Sequence, residues 1–270
     1  MIGQTVLLTK IRTMADKGTI PHFVIIIGQR GSGKRLIAKE IARSVGATFV
    51  ESGIKADDVR EVADNLFNVT YPTLYLFPRV QNMSVIAQNI LLKSAEEPPK
   101  NVYIVITAET ETQVLPTLLN RGTVLQMDEY TRAELEIYAN TQLGGCDKRI
   151  LSICQTPWEV QNIHAYGEDK FYTFLETVVD NIAEVSGANS FKIGQRLNLW
   201  GDDKTDLIDL TLFLRAFSLI CLDRIKDDID RYAKGVQITV RAMSNLRVQG
   251  VNKQMLFDVW LLDIRKAWMG

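Results

Sequence analysis

The sequence predicts an α/β domain on a parallel sheet, continued by an all-helical half. Three observations carry the prediction. Over residues 1–127, short β-branched and aromatic runs alternate with segments of helical periodicity, the pattern of a parallel sheet covered on both faces. A glycine-rich turn, Gly28-Gln29-Arg30-Gly31-Ser32-Gly33-Lys34-Arg35, separates the first such run from the helix after it. Beyond Met127 the strand-like runs fade and helical spacing alone remains.

The elements follow in order. Val6, Leu7, Ile11 and Met14 fall at helical spacing, and Gly18 is the expected stop. Residues 22–27 form a continuous apolar run, which reads as a strand buried on both faces. A helix is expected from near Gly33 to about Val45, and a short strand over residues 48–50. The helix over residues 57–67 opens on paired acids that suit the positive end of its dipole. Residues 73–77 are the third strand. Ser84 caps the next helix, and Pro98 and Pro99 end it. Residues 102–107 are a strand, 114–119 a short helix and 123–127 the fifth strand. Residues 128–166 hold three helical segments, at 131–143, 147–154 and 157–166. Residues 167–270 hold four or five longer helices. One of these has an apolar stripe of Phe171, Phe174, Leu175, Val178, Val179 and Ile182. Another has Met255, Leu256, Val259, Trp260, Leu262 and Ile264. Three parts are therefore expected, at 1–127, 128–166 and 167–270.

Composition narrows the function classes. With 270 residues, 46% of them hydrophobic, the chain can build more than one core. A net charge of −1 gives no global field toward nucleic acid or anionic lipid, so such contacts need a local patch. Cys146, Cys154 and Cys221 are too widely spaced for a disulfide framework or a paired metal site, which points to a reducing compartment. The first residues lack the apolar stretch of a signal peptide. Residues 207–222 are the most apolar stretch; interrupted by Asp209 and Arg215, they read as a buried helix rather than a membrane span. His22 and His164 lack acidic or thiol neighbours at ligand spacing and are read as structural. Lys34, Arg35, Lys39 and Arg43 share one helix, a solvated face ahead of a DNA-phosphate contact. Trp158, Trp200, Trp260 and Trp268 are expected in a core or an interface.

The glycine-rich turn carries the chemistry. It follows a strand, opens a helix and fits the phosphate-loop pattern GxxxxGK[ST] except at the last place. Its glycines let backbone N–H groups turn toward phosphate oxygens, and Lys34 and the helix N-terminus add positive charge. Gly28, Gln29, Arg30, Gly31, Ser32, Gly33, Lys34 and Arg35 are thus the expected nucleotide-binding residues. Arg35 stands where a hydroxyl would ligate magnesium, and arginine has no lone pair to offer. A guanidinium about 4 Å from a divalent ion at an effective dielectric of ~20 is repelled by about 8 kcal/mol, a ceiling the side chain escapes by swinging away. The third strand ends Phe77-Pro78-Arg79, a proline and a cation where metal support and water activation need carboxylates. After Arg79 the next acid is Glu96. Phosphate binding without turnover is the expectation.

Residues 85–99 carry a resemblance to a family. Ala87, Asn89, Leu91, Leu92, Lys93, Glu96, Glu97, Pro98 and Pro99 closely resemble the helix after the acidic motif in AAA+ clamp-loader subunits, especially the delta-prime and gamma/tau subunits of bacterial DNA polymerase III. The strand at 102–107 resembles the sensor-1 strand of that family, which makes Thr107 a nucleotide-sensing candidate. Residues 115–122 resemble the segment that ends Ser-Arg-Cys, with Asn120 for the serine and Gly122 for the cysteine. The resemblance makes Arg121 an arginine finger reaching a neighbour's ATP site. The lid segment around Thr156, Pro157 and Trp158 lacks the family's sensor-2 arginine; Glu159 and Gln161 occupy the area. The last helices resemble the family's collar.

What the resemblance implies is an AAA+ P-loop domain with a five-stranded parallel sheet (1–127), a small helical lid (128–166) and an all-α collar that oligomerises (167–270). It implies ATP or ADP as ligand, with magnesium short of its usual support. It implies no zinc, because residues 45–70 contain no cysteine where relatives carry a four-cysteine module. The implied partners are other clamp-loader subunits, a sliding clamp and primer-template DNA, with no membrane, in the cytoplasm at the replisome. A non-hydrolysing, delta-prime-like subunit is the leading expectation. An active gamma-like ATPase, and an AAA+ adaptor that has left replication, stay open beside it.

Overall fold

The structure is a computed structural model that describes residues 2–182, 192–199, 207–246, 248 and 250–269. It divides into two compact units, Met1–Glu134 and Leu135–Gly270.

The first unit contains α1 (Thr5–Asp16), β1 (Phe23–Ile27), α2 (Lys34–Ser44), β2 (Thr48–Glu51), α3 (Ala56–Asn65), β3 (Thr73–Phe77), α4 (Val85–Glu96), β4 (Val102–Ala108), α5 (Pro116–Leu119) and β5 (Thr123–Gln126). The five strands form one sheet in the order β2-β3-β4-β1-β5. Every pairing is parallel. The five-stranded parallel sheet expected from the sequence is therefore present. β1 lies between β4 and β5, which explains its unbroken apolar run. Phe23, Ile25 and Ile27 face one core with Val59, Ala87, Leu91 and Leu118 of α3, α4 and α5. Val24 and Ile26 face the other core with Leu7, Ile11, Ile37 and Ile41 of α1 and α2. Each fully buried isoleucine contributes about 1.5–3 kcal/mol by removal from water.

Local chemistry sets the ends. Ser84 Oγ accepts the Ala87 N–H at 3.1 Å and caps α4. Glu97, the residue before Pro98, leaves helical geometry, as a residue preceding proline does. Two helices differ from expectation. The one predicted over 57–67 closes at Asn65 and tightens into a 3-10 turn, Leu66–Asn68. The one predicted from 114 starts at Pro116, because proline at the first helical position holds Leu115 extended.

The second unit contains most of α6 (Arg132–Gln142), then α7 (Lys148–Ile153), α8 (Pro157–Tyr166), α9 (Glu168–Asn181), α10 (Leu210–Asp223), α11 (Ile229–Asn245) and α12 (Lys253–Met269). Two short strands, β6 (Leu197–Asn198) and β7 (Ile208–Asp209), pair in parallel. They are a correction to the all-helical reading, and two-residue strands are too short to leave a periodic signal. The helix predicted over 207–222 accordingly begins at Leu210. Asp209 does not merely interrupt it; its carboxylate accepts the Thr211 N–H at 3.0 Å and caps it. Arg215 Nη1 pairs with Glu159 Oε2 at 2.9 Å and donates to Ile153 O at 3.1 Å. Two of the helices expected of a lid, α7 and α8, thus pack on α10 within this one unit.

The stripe on α9 is buried throughout. That on α12 is not. Phe257, Trp260, Leu261 and Ile264 face inward, whereas Met255, Val259 and Leu262 are exposed. Trp260 donates to Thr239 Oγ1 at 3.0 Å and Trp268 to Arg231 O at 2.7 Å. Trp200 lies outside the described residues. No helix among the described residues is long and apolar enough to cross a membrane.

Candidate phosphate-binding site

The loop sits where β1 hands over to α2. Gly31 (φ 78°) and Gly33 (φ 94°) occupy left-handed backbone that glycine adopts without penalty. Gly28 is needed for a different reason. A Cβ there would stand 2.9 Å from Met127 Cβ and 3.0 Å from Ser32 Oγ. The N–H groups of Gly33, Lys34 and Arg35 have no acceptor among the described residues, as at any helix start, and so remain for an anion.

Neighbouring elements hold the loop in shape. Ser32 Oγ donates to Met127 Sδ at 3.3 Å, and Tyr130 Oη donates to Ser32 O at 2.8 Å. Gln4 fixes that supporting segment: its amide donates to Asp128 O at 2.7 Å and accepts the Asp128 N–H at 2.9 Å. Burial raises the Tyr130 phenol above its ordinary pKa, with Glu134 adding to the shift. The phenol is therefore a firm donor.

Lys34 Nζ donates to Gly28 O at 2.6 Å and Gln29 O at 2.8 Å. Burial pushes its ammonium down to about 8; Glu109 opposes that shift and Arg30 adds to it. Glu109, the residue after β4, was missed in the sequence. Its Oε1 also accepts from Gln81 Nε2 at 3.3 Å. The signal that would have found it is position, an acid directly past a strand that pairs with β1.

Arg35 Nε pairs with Glu51 Oε2 of β2 at 2.6 Å, so its guanidinium is drawn aside from the loop. Lys39 lies over the Phe49 ring at 5.5 Å. With Lys34 turned inward, the four basic residues of α2 are not one solvated face. Thr107 is buried, and its hydroxyl accepts the Arg79 N–H at 3.0 Å. Thr107 pairs in register with Ile26, which places it two residues before the loop on the neighbouring strand. Arg79 itself holds φ 52° and ψ 59°, a left-handed conformation that costs an L residue about 1–2 kcal/mol.

A phosphate fits these donors; a divalent ion does not. The magnesium-ligating place holds Arg35, and the end of β3 holds Pro78 and Arg79. Among the described residues no three His, Cys, Asp or Glu side chains group as a metal site. Glu109 stands at the loop without a second carboxylate.

Arg121 is not brought to this loop. It precedes β5, and Val24 pairs with Thr123 and Ile27 with Gln126. Arg121 therefore lies at the opposite end of the strands from Gly28, on the order of 15 Å away at about 3.3 Å per strand residue. Its Nη2 pairs with Glu96 Oε1 at 2.5 Å. Gly122 has a packing reason: a Cβ there would meet Ile25 Cδ1 at 2.6 Å.

The remaining candidates are structural. His22 Nδ1 lies 2.6 Å from Val102 O, and its ring stacks on Tyr103. His164 does have an acidic neighbour, which corrects the sequence reading: its Nδ1 lies 3.0 Å from Glu168 Oε1, one helical turn on. Glu159 is buried and holds Arg215 and the Gln155 N–H.

Sheet order, loop and helical continuation define a P-loop domain with the fold of AAA+ proteins. A structure described as a DNA polymerase III gamma subunit-related protein of Thermotoga maritima matches with a TM-score of 0.57 at 16% identity, over 97% of this chain and 99% of that one. The Thermotoga maritima RuvB branch-migration motor matches with a TM-score of 0.53 at 17% identity, over 97% and 87%. At such identities the likeness is one of fold.

Within that fold, the sequence similarity is to clamp-loader subunits of DNA polymerase III. The family described as "DNA polymerase III, delta subunit" matches residues 47–131. The tau subunit of DNA polymerase III from Escherichia coli is 30% identical over 192 residues, 57% of this chain and 29% of that protein. The gamma subunit from Buchnera aphidicola subsp. Schizaphis graminum is 29% identical over 147 residues, 43% of this chain and 40% of that protein. The chain thus covers less than half the length of these relatives.

Proposed function

We propose that this chain is a non-hydrolysing subunit of a DNA polymerase III-type clamp loader, binding nucleotide phosphate in its own loop and presenting Arg121 to the ATP site of a neighbour. One observation carries the reading. The two places where a hydrolytic site keeps its metal ligands hold cations instead: Arg35, paired with Glu51, and Arg79, whose backbone N–H is held by Thr107. Water attack on a phosphate needs a positioned base and a charge clamp. This loop offers the second without the first. Arg121, at the opposite end of the sheet, is out of reach of its own loop; released from its partly exposed pair with Glu96, it can act across an interface, where a guanidinium stabilises developing phosphate charge.

The partners of this reading are other loader subunits, a sliding clamp and primed DNA. Phosphate release by the purified chain with ATP and magnesium tests it, and turnover above background refutes it. In a reconstituted loader, Arg121→Ala leaves assembly intact and lowers the neighbour's ATPase. A second reading, an ATPase drawing its base from Glu109, is favoured by the nearness of that carboxylate to Lys34. It predicts turnover that Glu109→Gln abolishes.

A further inference from the structure

We infer that the loop takes its polyphosphate ligand without magnesium, with the guanidinium of Arg79 supplying the charge that a metal supplies in a hydrolytic site; this rests on the phosphate-cradle reading above. Arg79 leaves β3 at the level of the loop. Phe77 pairs with Ile106 on β4, and the next two residues of β4, Thr107 and Ala108, pair with Ile26 and Ile27 of β1. The backbone is locked there, its N–H on Thr107 Oγ1 at 3.0 Å and its carbonyl accepting the Asn82 N–H at 2.8 Å.

Two features of this arginine bear on its role. Its backbone is left-handed, a conformation glycine takes without strain. Its side chain is exposed and makes no hydrogen bond or ion pair among the described residues. Arg12, Arg35, Arg60 and Arg121 of the same unit each hold a carboxylate. A strained residue with an uncommitted charge beside a phosphate cradle points to a ligand. The charge balance agrees. Arg30 acts electrostatically on Lys34, and Glu109 is the opposing carboxylate. Such a pocket repels a divalent cation and attracts the full charge of metal-free triphosphate.

Calorimetric titration of the whole chain with ATP, once in EDTA and once in excess magnesium, tests this. The dissociation constant is expected to be at least about threefold lower in EDTA, where the triphosphate carries its full charge. Arg79→Gly, which relieves the backbone, weakens ATP in EDTA by about tenfold, the worth of one charge-assisted contact. Arg79→Lys keeps the charge and stays within about threefold of wild type. The inference is overturned by affinity in magnesium equal to or greater than that in EDTA, by Arg79→Gly binding as tightly as wild type, or by Arg79→Lys falling as far as Arg79→Gly. A magnesium requirement retires this inference alone. ATP failing to bind in either buffer retires the cradle reading along with it.

Discussion

Arg121 closes onto Glu96 with Nη2 2.5 Å from Oε1, while Nη1 donates to Thr117 O at 2.8 Å. Both partners of the ion pair are more than a third exposed. Surface pairs of this kind contribute about 0–1 kcal/mol. Glu96→Gln is therefore expected to shift the unfolding free energy by less than about 1 kcal/mol in urea titration. A loss well beyond that would make the pair a structural strut rather than a resting place for Arg121.

Lys34 gives a signed pH dependence. Its folded pKa, about 8, lies below the ordinary 10.5. Between those values the unfolded chain binds more protons than the folded one, so stability from this group rises with pH across that window. The burial penalty is fully present below pH 8. Lys34→Met removes it, so the variant's stability advantage is expected to shrink from pH 8 to 10.5. Thermal melts of both chains across that range check the difference, and parallel curves would contradict it.

The same ammonium sets a ceiling on phosphate affinity. Above pH 8 the free loop loses its proton, and a bound phosphate must draw one back. ATP affinity is expected to fall from pH 8 to 9.5 with proton uptake on binding. Titrations in two buffers of different ionisation enthalpy would detect that proton, and its absence would place the charge elsewhere.

Gly122 is a steric position. Its φ is not in the left-handed range, so the constraint is the approach of Ile25, which is fully buried in β1. Gly122→Ala is expected to cost about 1–3 kcal/mol by overpacking. Adding Ile25→Val removes the offending Cδ1 and should recover part of the loss. Urea midpoints of the single and double variants decide it.

In the second unit, Glu159 and Arg215 form a pair with side chains 10% and 17% exposed. Removing one partner strands the other charge, which costs about 3–5 kcal/mol when fully buried and less with residual exposure. Glu159→Ala is expected to destabilise more than Glu159→Ala combined with Arg215→Met. Equal losses would show that packing, not charge, holds α8 to α10.

Much of the architecture was legible in the order of residues. The run at β1 reads as a two-faced strand because both faces are covered. Ser84 and Pro98 bracket α4 because caps and prolines act on adjacent backbone. The two-residue strands β6 and β7 were invisible because periodicity needs more residues to register. On α12 the apolar spacing was correct, yet Met255 and Val259 lie outward, since composition does not say which of two apolar faces turns inward.

By itself the sequence determined the alternation of strands and helices, the glycine turn with Lys34, and the missing acids after β3. All of these are local signals, carried by neighbours along the chain. Only the tertiary structure decided that Arg35 leans on Glu51, that Arg79 is pinned to Thr107, that Glu109 faces Lys34, and that Arg121 sits at the opposite end of the strands from its own loop. Those relations join residues brought together by sheet order and register, which follow from burying two apolar faces at once and cannot be read from any single segment.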